Sequence, residues 1–436
     1  MGLRSALAAV AGKAPVPVFA LTGSGAREAV RSLRLRPELE LLASPRGADV
    51  LLVAGHVPPA LAPAARAVHD QVSHPRVTVR WRLSEGEAGN EDGLPAGVVV
   101  GPGDDVVPAV ARAHRQLLDG TVASEAALLP DEDPNPWRGV GPYGQGGKGM
   151  TGGVPYGRPL AGRAPDRDGL ELDQLPVTAG PYLLPFPPGL TVELKMQGDV
   201  VQEATVGENP FPPSVPSPAD PFVRALTEPV PIAELELARA RHHLRWLSDA
   251  LHVQGLDAMG RRALRLAEDL TAESHGALAR LASMVRRSQS LGWSTSRTGR
   301  LPPAELAGRG LGPVARSSGH REDARQLDPA YADLGFDPVV HPDGDTPARW
   351  RQRLAETVQS LDLARRAGDR VTTVTGVVES PRGPLLPGAA TPSANAVRLV
   401  PQVLPGLEWG DAMAAVVSLD IDLEEAALPL PVAAGP

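Results

Sequence analysis

The sequence predicts a two-part chain: an α/β domain with a parallel sheet, then a mainly α-helical domain with small β additions. Three observations carry this. The first 120 residues alternate short apolar runs with helical patterns, as a parallel sheet covered on both faces requires. A Pro/Gly-rich connector follows over residues 121–176, and from 177 to 436 the longest patterns have apolar residues at helical spacing.

In the first part, Val16-Pro-Val-Phe-Ala-Leu21 reads as a buried strand, Thr22 to Gly25 as a turn, and the next residues as a helix to about Leu35. Asp49–Ala54, Val77–Trp81 and Gly97–Val100 are further strands, with a helical pattern from Ala60 to Val72 between the first two. Asp104–Leu118 closes the domain as a helix with acidic residues where the helix dipole favours them. The connector contains Asp133-Pro-Asn-Pro-Trp137 and a glycine-rich stretch from Gly139 to Gly157, too many breakers for regular structure. Leu190–Val201 alternates around Gly198-Asp199 and reads as a hairpin. Ile232–Val253, Leu256–Leu291 and Thr346–Ala367 are long helices. Val371–Val378 and Ala396–Val403 look β-like, and Val416–Leu423 reads as a final strand or extended tail. No internal repeat is evident.

Composition removes whole classes of chemistry. The chain has 436 residues, 42% hydrophobic and 22% charged, a globular balance. It contains no cysteine. Disulfides, thiol nucleophiles and cysteine-ligated zinc or iron–sulfur centres within the chain are therefore excluded. A formal charge of −8 without a dense Lys/Arg run argues against nucleic-acid binding. No apolar run is long enough to span a bilayer, and no signal peptide is read at Met1–Lys13, so the expected location is cytoplasmic.

Several motifs invite a chemical reading and fail it. Gly144–Thr151 lacks the Ser/Thr after its lysine, and neither a strand nor a helix flanks it, so it is a linker rather than a phosphate loop. Gly23-Ser-Gly25 has Glu28 where a dinucleotide fingerprint needs its third glycine, so it is a tight turn. His242, His243 and His252 lack the four-residue spacing of a helical zinc pair. Ser317, Ser318, His320 and Asp323 have the residue types of a hydrolase triad but no nucleophile elbow. Arg316, Arg325, Arg349 and Arg353 alternate with Asp323, Asp345 and Glu356. Arg349, Arg353 and Glu356 share a helix face, so the set can form a buried ion-pair network or a solvated charged face.

These stretches carry a resemblance. Gly310-Leu-Gly-Pro-Val-Ala-Arg-Ser-Ser-Gly319 with Asp323-Ala-Arg325, and Gly344-Asp-Thr-Pro-Ala-Arg-Trp-Arg-Gln-Arg-Leu-Ala-Glu356, resemble motifs of the large, hydrogenase-like catalytic subunit of respiratory complex I. The helix from Glu236 to Leu247, with His243, Trp246 and the later Gly255, is similar to that family, as are Glu379-Ser-Pro-Arg-Gly383 and Val416–Asp422. Pro45–Pro63 resembles the small subunit that carries the terminal iron–sulfur cluster beside it. The chain thus resembles a fusion of the two subunits of complex I and of membrane-bound hydrogenases. The resemblance implies a flavodoxin-like N-terminal sheet and a nickel–iron hydrogenase large-subunit-like second part. It also implies partners that include membrane-arm subunits, with the chain held peripherally on the cytoplasmic face of the cell membrane.

The departures are informative. The cluster cysteines fall near Gly23, Ser24, Ser84 and Asp104, none of which can replace a soft thiolate. The quinone-facing histidine motif is replaced by Gly180-Pro-Tyr-Leu-Leu-Pro-Phe-Pro-Pro-Gly189, its supporting aspartate by Val253, and the quinone tyrosine's segment is largely deleted between Ala204 and Pro231. The expectation is a subunit with no cofactor, no metal and no catalytic residue. His243, Trp246, Gly255, Arg316, Asp323, Arg325, Asp345, Arg349, Arg353 and Glu356 are then structural. The alternatives are an active NADH-quinone oxidoreductase-type subunit whose clusters and quinone site lie in partner chains, and a stand-alone α/β binding module.

Overall fold

A computed structural model describes residues 14–86, 92–130, 161–165, 169–213, 217–288 and 297–429. The glycine-rich stretch 139–157, including Gly144–Thr151, and the end of the helix expected to reach Leu291 lie outside the described residues.

The N-terminal sheet is built from β1 (Val16–Thr22), β2 (Leu39–Leu41), β3 (Val50–Ala54), β4 (Val77–Trp81) and β5 (Val98–Val100). All pairings are parallel, in the order β2-β1-β3-β4-β5. Because side chains alternate between faces, these apolar strands feed two cores. Val16, Val18, Val50, Leu52, Val77 and Val79 pack beneath α3 (Val106–Leu118), whose first turn is capped by Asp105 accepting from the Val107 amide at 3.1 Å. Phe19, Leu21, Leu51 and Val53 face the other way, towards α2 (Ala62–Gln71) and the second part of the chain. α1 (Arg27–Ser32) follows the β1 turn. The short strand Leu39–Leu41 is an addition to the expected elements.

The two parts share one apolar core. Phe19, Leu21, Leu51 and Val53 belong to the same cluster as Phe186, Leu190, Met413, Val416 and Ile421. Ion pairs reinforce the junction. Arg31 on α1 donates to Asp249, with Nη2 at 2.6 Å, and Arg34 reaches the same carboxylate. Arg245 lies 3.3 Å from Glu28, and Arg27 donates to the Ile421 carbonyl at 2.9 Å.

The second part centres on α4 (Ile232–Val253) packed against α7 (Thr346–Ala367), with α5 (Asp257–Glu268), α6 (His275–Ser288) and α8 (Trp409–Ser418) around them. The segment expected as one helix from Leu256 is broken into α5 and α6.

Four further expectations need correction. Residues 121–176 are not irregular throughout. β6 (Gly162–Pro165) and β7 (Glu171–Ala179) join the expected hairpin β8 (Val192–Gln197) and β9 (Val200–Val206) as an antiparallel sheet. Pro176 is tolerated because β6 pairs only residues 171–174 on that side, so no ladder bond there needs its missing N–H. Ala396–Val403 is not a strand but lies in two helical turns, Pro392–Val397 and Val400–Val403. Val416–Ser418 completes α8, Leu419 caps it with helical backbone, Asp420 is left-handed with φ +56°, and Asp422 is extended before a last turn, Leu423–Ala426. Of Val371–Val378, only Val378 is in a strand, β10 (Val378–Glu379), which pairs with β11 (Pro384–Leu385).

Candidate functional site

Beneath the domain junction lies a chain of buried charges drawn from α4, α7, the β10–β11 turn and two loops. Arg316, fully buried, ends the helical turn Pro313–Arg316. Its Nε and Nη2 donate to Glu356 at 2.8 and 3.2 Å, and Nη1 donates to Glu379 at 2.7 Å and lies 3.0 Å from Asp323. Arg325 forks onto Asp323 through Nε and Nη2, at 3.0 and 2.8 Å, and reaches Glu236 through Nη1 at 3.2 Å. The Tyr331 hydroxyl donates to Glu236 at 2.7 Å. Arg239, one turn along α4, donates to the carbonyls of Glu379 and Ser380 at 2.6 and 2.9 Å.

A second knot lies nearer the α/β domain. Arg353 Nη1 is 3.1 Å from Asp420, and its guanidinium stacks 5.1 Å from the centre of the Trp246 ring. His242 meets Asp420 at 2.7 Å. Arg382 donates to Glu425 at 2.6 Å, to Asp422 at 3.2 Å and to the Asp420 carbonyl at 2.9 Å. His243 Nε2 links the knots, 3.4 Å from Glu356. Trp246 donates from Nε1 to the Val417 carbonyl at 2.8 Å, fixing α4 to α8.

Burying isolated charges is costly, so Arg316 and Arg325 persist here in bidentate, hydrogen-bonded pairs. Arg353 is the exception, engaged through Nη1 with its Nε and Nη2 buried and unpartnered among the described residues. Burial alone would raise the pKa of Glu356 and Asp420, but their neighbours hold both well below the usual carboxylate range: the Arg316 charge for Glu356, and the close contact with His242 together with the charges of Arg382 and Arg353 for Asp420. Burial, and then the charge of Asp323, pushes Glu379 up. Burial lowers His243 to about 3, keeping the imidazole neutral. Such an arrangement locks elements together.

The other residues singled out in the sequence fall elsewhere. Arg349 shares the α7 face but not the ion pairs. It donates to Ser418 Oγ, to Thr346 Oγ1 and to the carbonyls of Gly344 and Gly299, all within 3.1 Å, so it clamps three segments through neutral oxygens. Asp345 caps α7, accepting from the Ala348 amide at 2.9 Å. Gly255 ends α4 with φ +69°, a conformation that favours glycine. The hydrolase-triad residues do not converge: the Ser317 and Ser318 hydroxyls turn to the Val314 carbonyl, and His320 sits at the Pro303 carbonyl. Glu236, Arg239, Glu379, Arg382 and Asp420 belong to the network but were not among the expected residues. The available signal was charge at apolar-periodic positions, such as Glu236 and Arg239 among Ile232, Leu235 and Ala240 on the buried face of α4.

Gly23, Ser24, Ser84 and Asp104 all follow the carboxyl ends of parallel strands, β1, β4 and β5, and so lie along one edge of the sheet. The residues there do not fit an iron–sulfur cluster. A Cβ added to Gly23 would stand 2.3 Å from the His56 carbonyl oxygen, so that position has no room for a ligand side chain. Ser24 donates its amide to the same oxygen at 2.8 Å. The second part of the chain reaches this edge at its β1 end, where the Gly25 amide donates to both oxygens of Glu424, at 3.0 and 2.9 Å, while Ser84 and Asp104 are exposed. Val253, where an aspartate was expected from the resemblance, packs in the apolar core. Among the described residues no group of three or more His, Asp or Glu side chains is arranged to hold a metal ion.

No curated protein matches the chain in sequence. A chain from the membrane-bound sulfane sulfur reductase, an archaeal respiratory membrane complex, superimposes with a TM-score of 0.43 at 18% identity, covering 58% of this chain and 98% of its own. The model of the family described as respiratory-chain NADH dehydrogenase, 49 Kd subunit, matches residues 257–387. That stretch holds Arg316, Asp323, Arg325, Arg353, Glu356 and Glu379, so the C-terminal part of the chain carries a domain of the complex I 49 kDa subunit type.

Proposed function

We propose that the chain is a cofactorless, non-catalytic structural subunit of a complex I-like respiratory assembly, in which it docks peripheral partners to a membrane arm. Its N-terminal domain takes the place of the small cluster-bearing subunit, fused to a hydrogenase-like large subunit. One observation supports this above the others: the sheet edge where a terminal cluster would sit offers no thiolate, has Gly23 sealed against His56, and at Gly25 is already engaged by Glu424 of the chain's own second part. The matched 49 kDa domain supports membership of such an assembly. None of the described helices is long and apolar enough to cross a membrane, which fits attachment through partners on the cytoplasmic face.

Affinity purification from native membranes, followed by mass spectrometry, tests the reading. Co-purification with integral-membrane subunits of a respiratory complex is the expected result. Recovery of the chain alone, free of membrane subunits, would refute it.

A further inference from the structure

Two loops meet beside the start of α7 and enclose a pocket of about 370 Å³, room for a small ligand. One loop carries Arg297 and Arg300, the other Asp343 and Asp345, and Arg351 of α7 completes the wall. Backbone bonds tie the loops: Thr346 donates to the Thr298 carbonyl at 3.0 Å, and Leu301 to the Gly344 carbonyl at 3.1 Å. Beneath them, Arg349 donates to the carbonyls of Gly299 and Gly344 at 2.7 and 3.0 Å. The walls are therefore fixed before a ligand arrives, which removes the cost of ordering them on binding.

The charges at this pocket do not balance. Its acids are engaged: Asp345 accepts from the Ala348 and Arg297 amides at 2.9 and 3.1 Å, and Asp343 accepts from Arg351 at 2.6 Å. Arg297 and Arg300 are exposed, and neither side chain has a hydrogen-bond or ion-pair partner among the described residues. Arg349 is 1% exposed, yet it donates only to uncharged oxygens, and no described carboxylate lies within ion-pair distance of it. Burial lowers its guanidinium to about 9 in spite of the Asp345 charge. A buried cation without a counter-charge is costly. The chain supplies no nearby acid in sequence either, since no Asp or Glu occurs between Glu273 and Glu305. Four guanidinium groups thus stand in and beneath the pocket against two carboxylates, an excess of two positive charges.

We propose that this pocket binds a phosphoryl group, presented either as free phosphate or as the phosphate-monoester headgroup of a lipid. The unpaired forks of Arg297 and Arg300 match its oxygens. Its charge of about −1.5 to −2 offsets the local excess and gives Arg349 the counter-charge it lacks. A singly charged carboxylate satisfies less of that excess and binds more weakly. The inference stands apart from the docking role proposed above.

Two measurements on the full chain test this: titration calorimetry with inorganic phosphate and with acetate, and co-sedimentation with phosphatidylcholine vesicles with and without phosphatidic acid. Phosphate is expected to bind at one site, roughly tenfold or more tightly than acetate. If only the phosphatidic acid vesicles retain the chain, the headgroup is the source of the phosphoryl group; if inorganic phosphate alone binds, the source is soluble. In either arm, Arg297→Gln combined with Arg300→Gln is expected to weaken binding roughly tenfold or more, with the ligand-free thermal midpoint unchanged because both side chains are exposed. Arg46→Gln, at an exposed arginine of the α/β domain, is expected to leave binding as it was. No phosphate binding together with no gain from phosphatidic acid would overturn the proposal. So would acetate binding as tightly as phosphate, or binding that survives the paired substitution or falls equally with Arg46→Gln.

Discussion

Arg316 donates through Nε and Nη2 to the two oxygens of Glu356, both side chains fully buried, and so ties the Gly310–Gly319 loop to the middle of α7. The pair has no solvent to fall back on. Replacing Glu356 with Ala leaves Arg316 one carboxylate short and His243 without its neighbour, and is expected to cost about 3–5 kcal/mol. Denaturant unfolding of the two proteins measures the loss. A cost below about 1 kcal/mol would show that the network does not hold the domain.

The junction between the two parts turns on Asp249, which receives Arg31 and Arg34 together. Asp249→Asn keeps the shape and removes the charge. A loss of about 1.5–3 kcal/mol is expected, the range for hydrogen bonds to charged groups. Limited proteolysis would read the same change as faster cleavage between the parts, and an unchanged digestion pattern would argue that the shared apolar core alone sets their docking.

Gly312 and Gly383 explain why two separated motifs contain glycine. Gly312 has φ +46°, and a Cβ there would lie 2.5 Å from the Gly383 Cα. The two backbones touch, which seats the Pro313–Arg316 turn against the β10–β11 hairpin. Gly312→Ala is expected to destabilise by about 1–3 kcal/mol through strain. Thermal unfolding checks it, and a midpoint equal to that of the parent would contradict the contact.

The buried histidines set an acid limit. His243 is lowered to about 3 by burial, and His242 and His252 are shifted in the same direction, also chiefly by burial. Below an unfolded pKa of about 6.5 the unfolded chain takes up protons that the folded chain does not. Stability is therefore fully present above that value and is lost as pH falls, by about 1.4 kcal/mol per pH unit for His243, with His242 and His252 adding in the same direction. Unfolding measured from pH 6.5 to 4.5, above the range where most unfolded carboxylates titrate, is expected to show this decline, and His243→Gln to make it shallower. A flat profile would contradict the neutral, buried imidazole.

How much of this was legible in the sequence follows from the physics of each segment. Val16–Thr22 and Val50–Ala54 were readable because strands buried on both faces need continuous apolar runs. α4 and α7 were readable from periodicity over 22 residues each. Val416–Ser418 reads as β because a fully buried helix is apolar all round, and Ala396–Val403 because its two separate helical turns are too short to show a period. β7 was hidden by Pro176 and by side chains exposed on both faces. In the network, the Arg316, Asp323, Arg325, Arg353 and Glu356 set was visible as charge alternation. Asp420 and Glu379 were not, since their partners lie at least 38 residues away in sequence and only the tertiary fold brings them together.

We propose that this chain keeps the architecture of a redox subunit pair without an electron carrier. Iron analysis and low-temperature electron paramagnetic resonance of the dithionite-reduced chain, isolated from its native membrane complex, test it most directly. The account predicts no iron in stoichiometric amount and no cluster signal from this polypeptide. One cluster per chain, bound after separation from every partner, would contradict it.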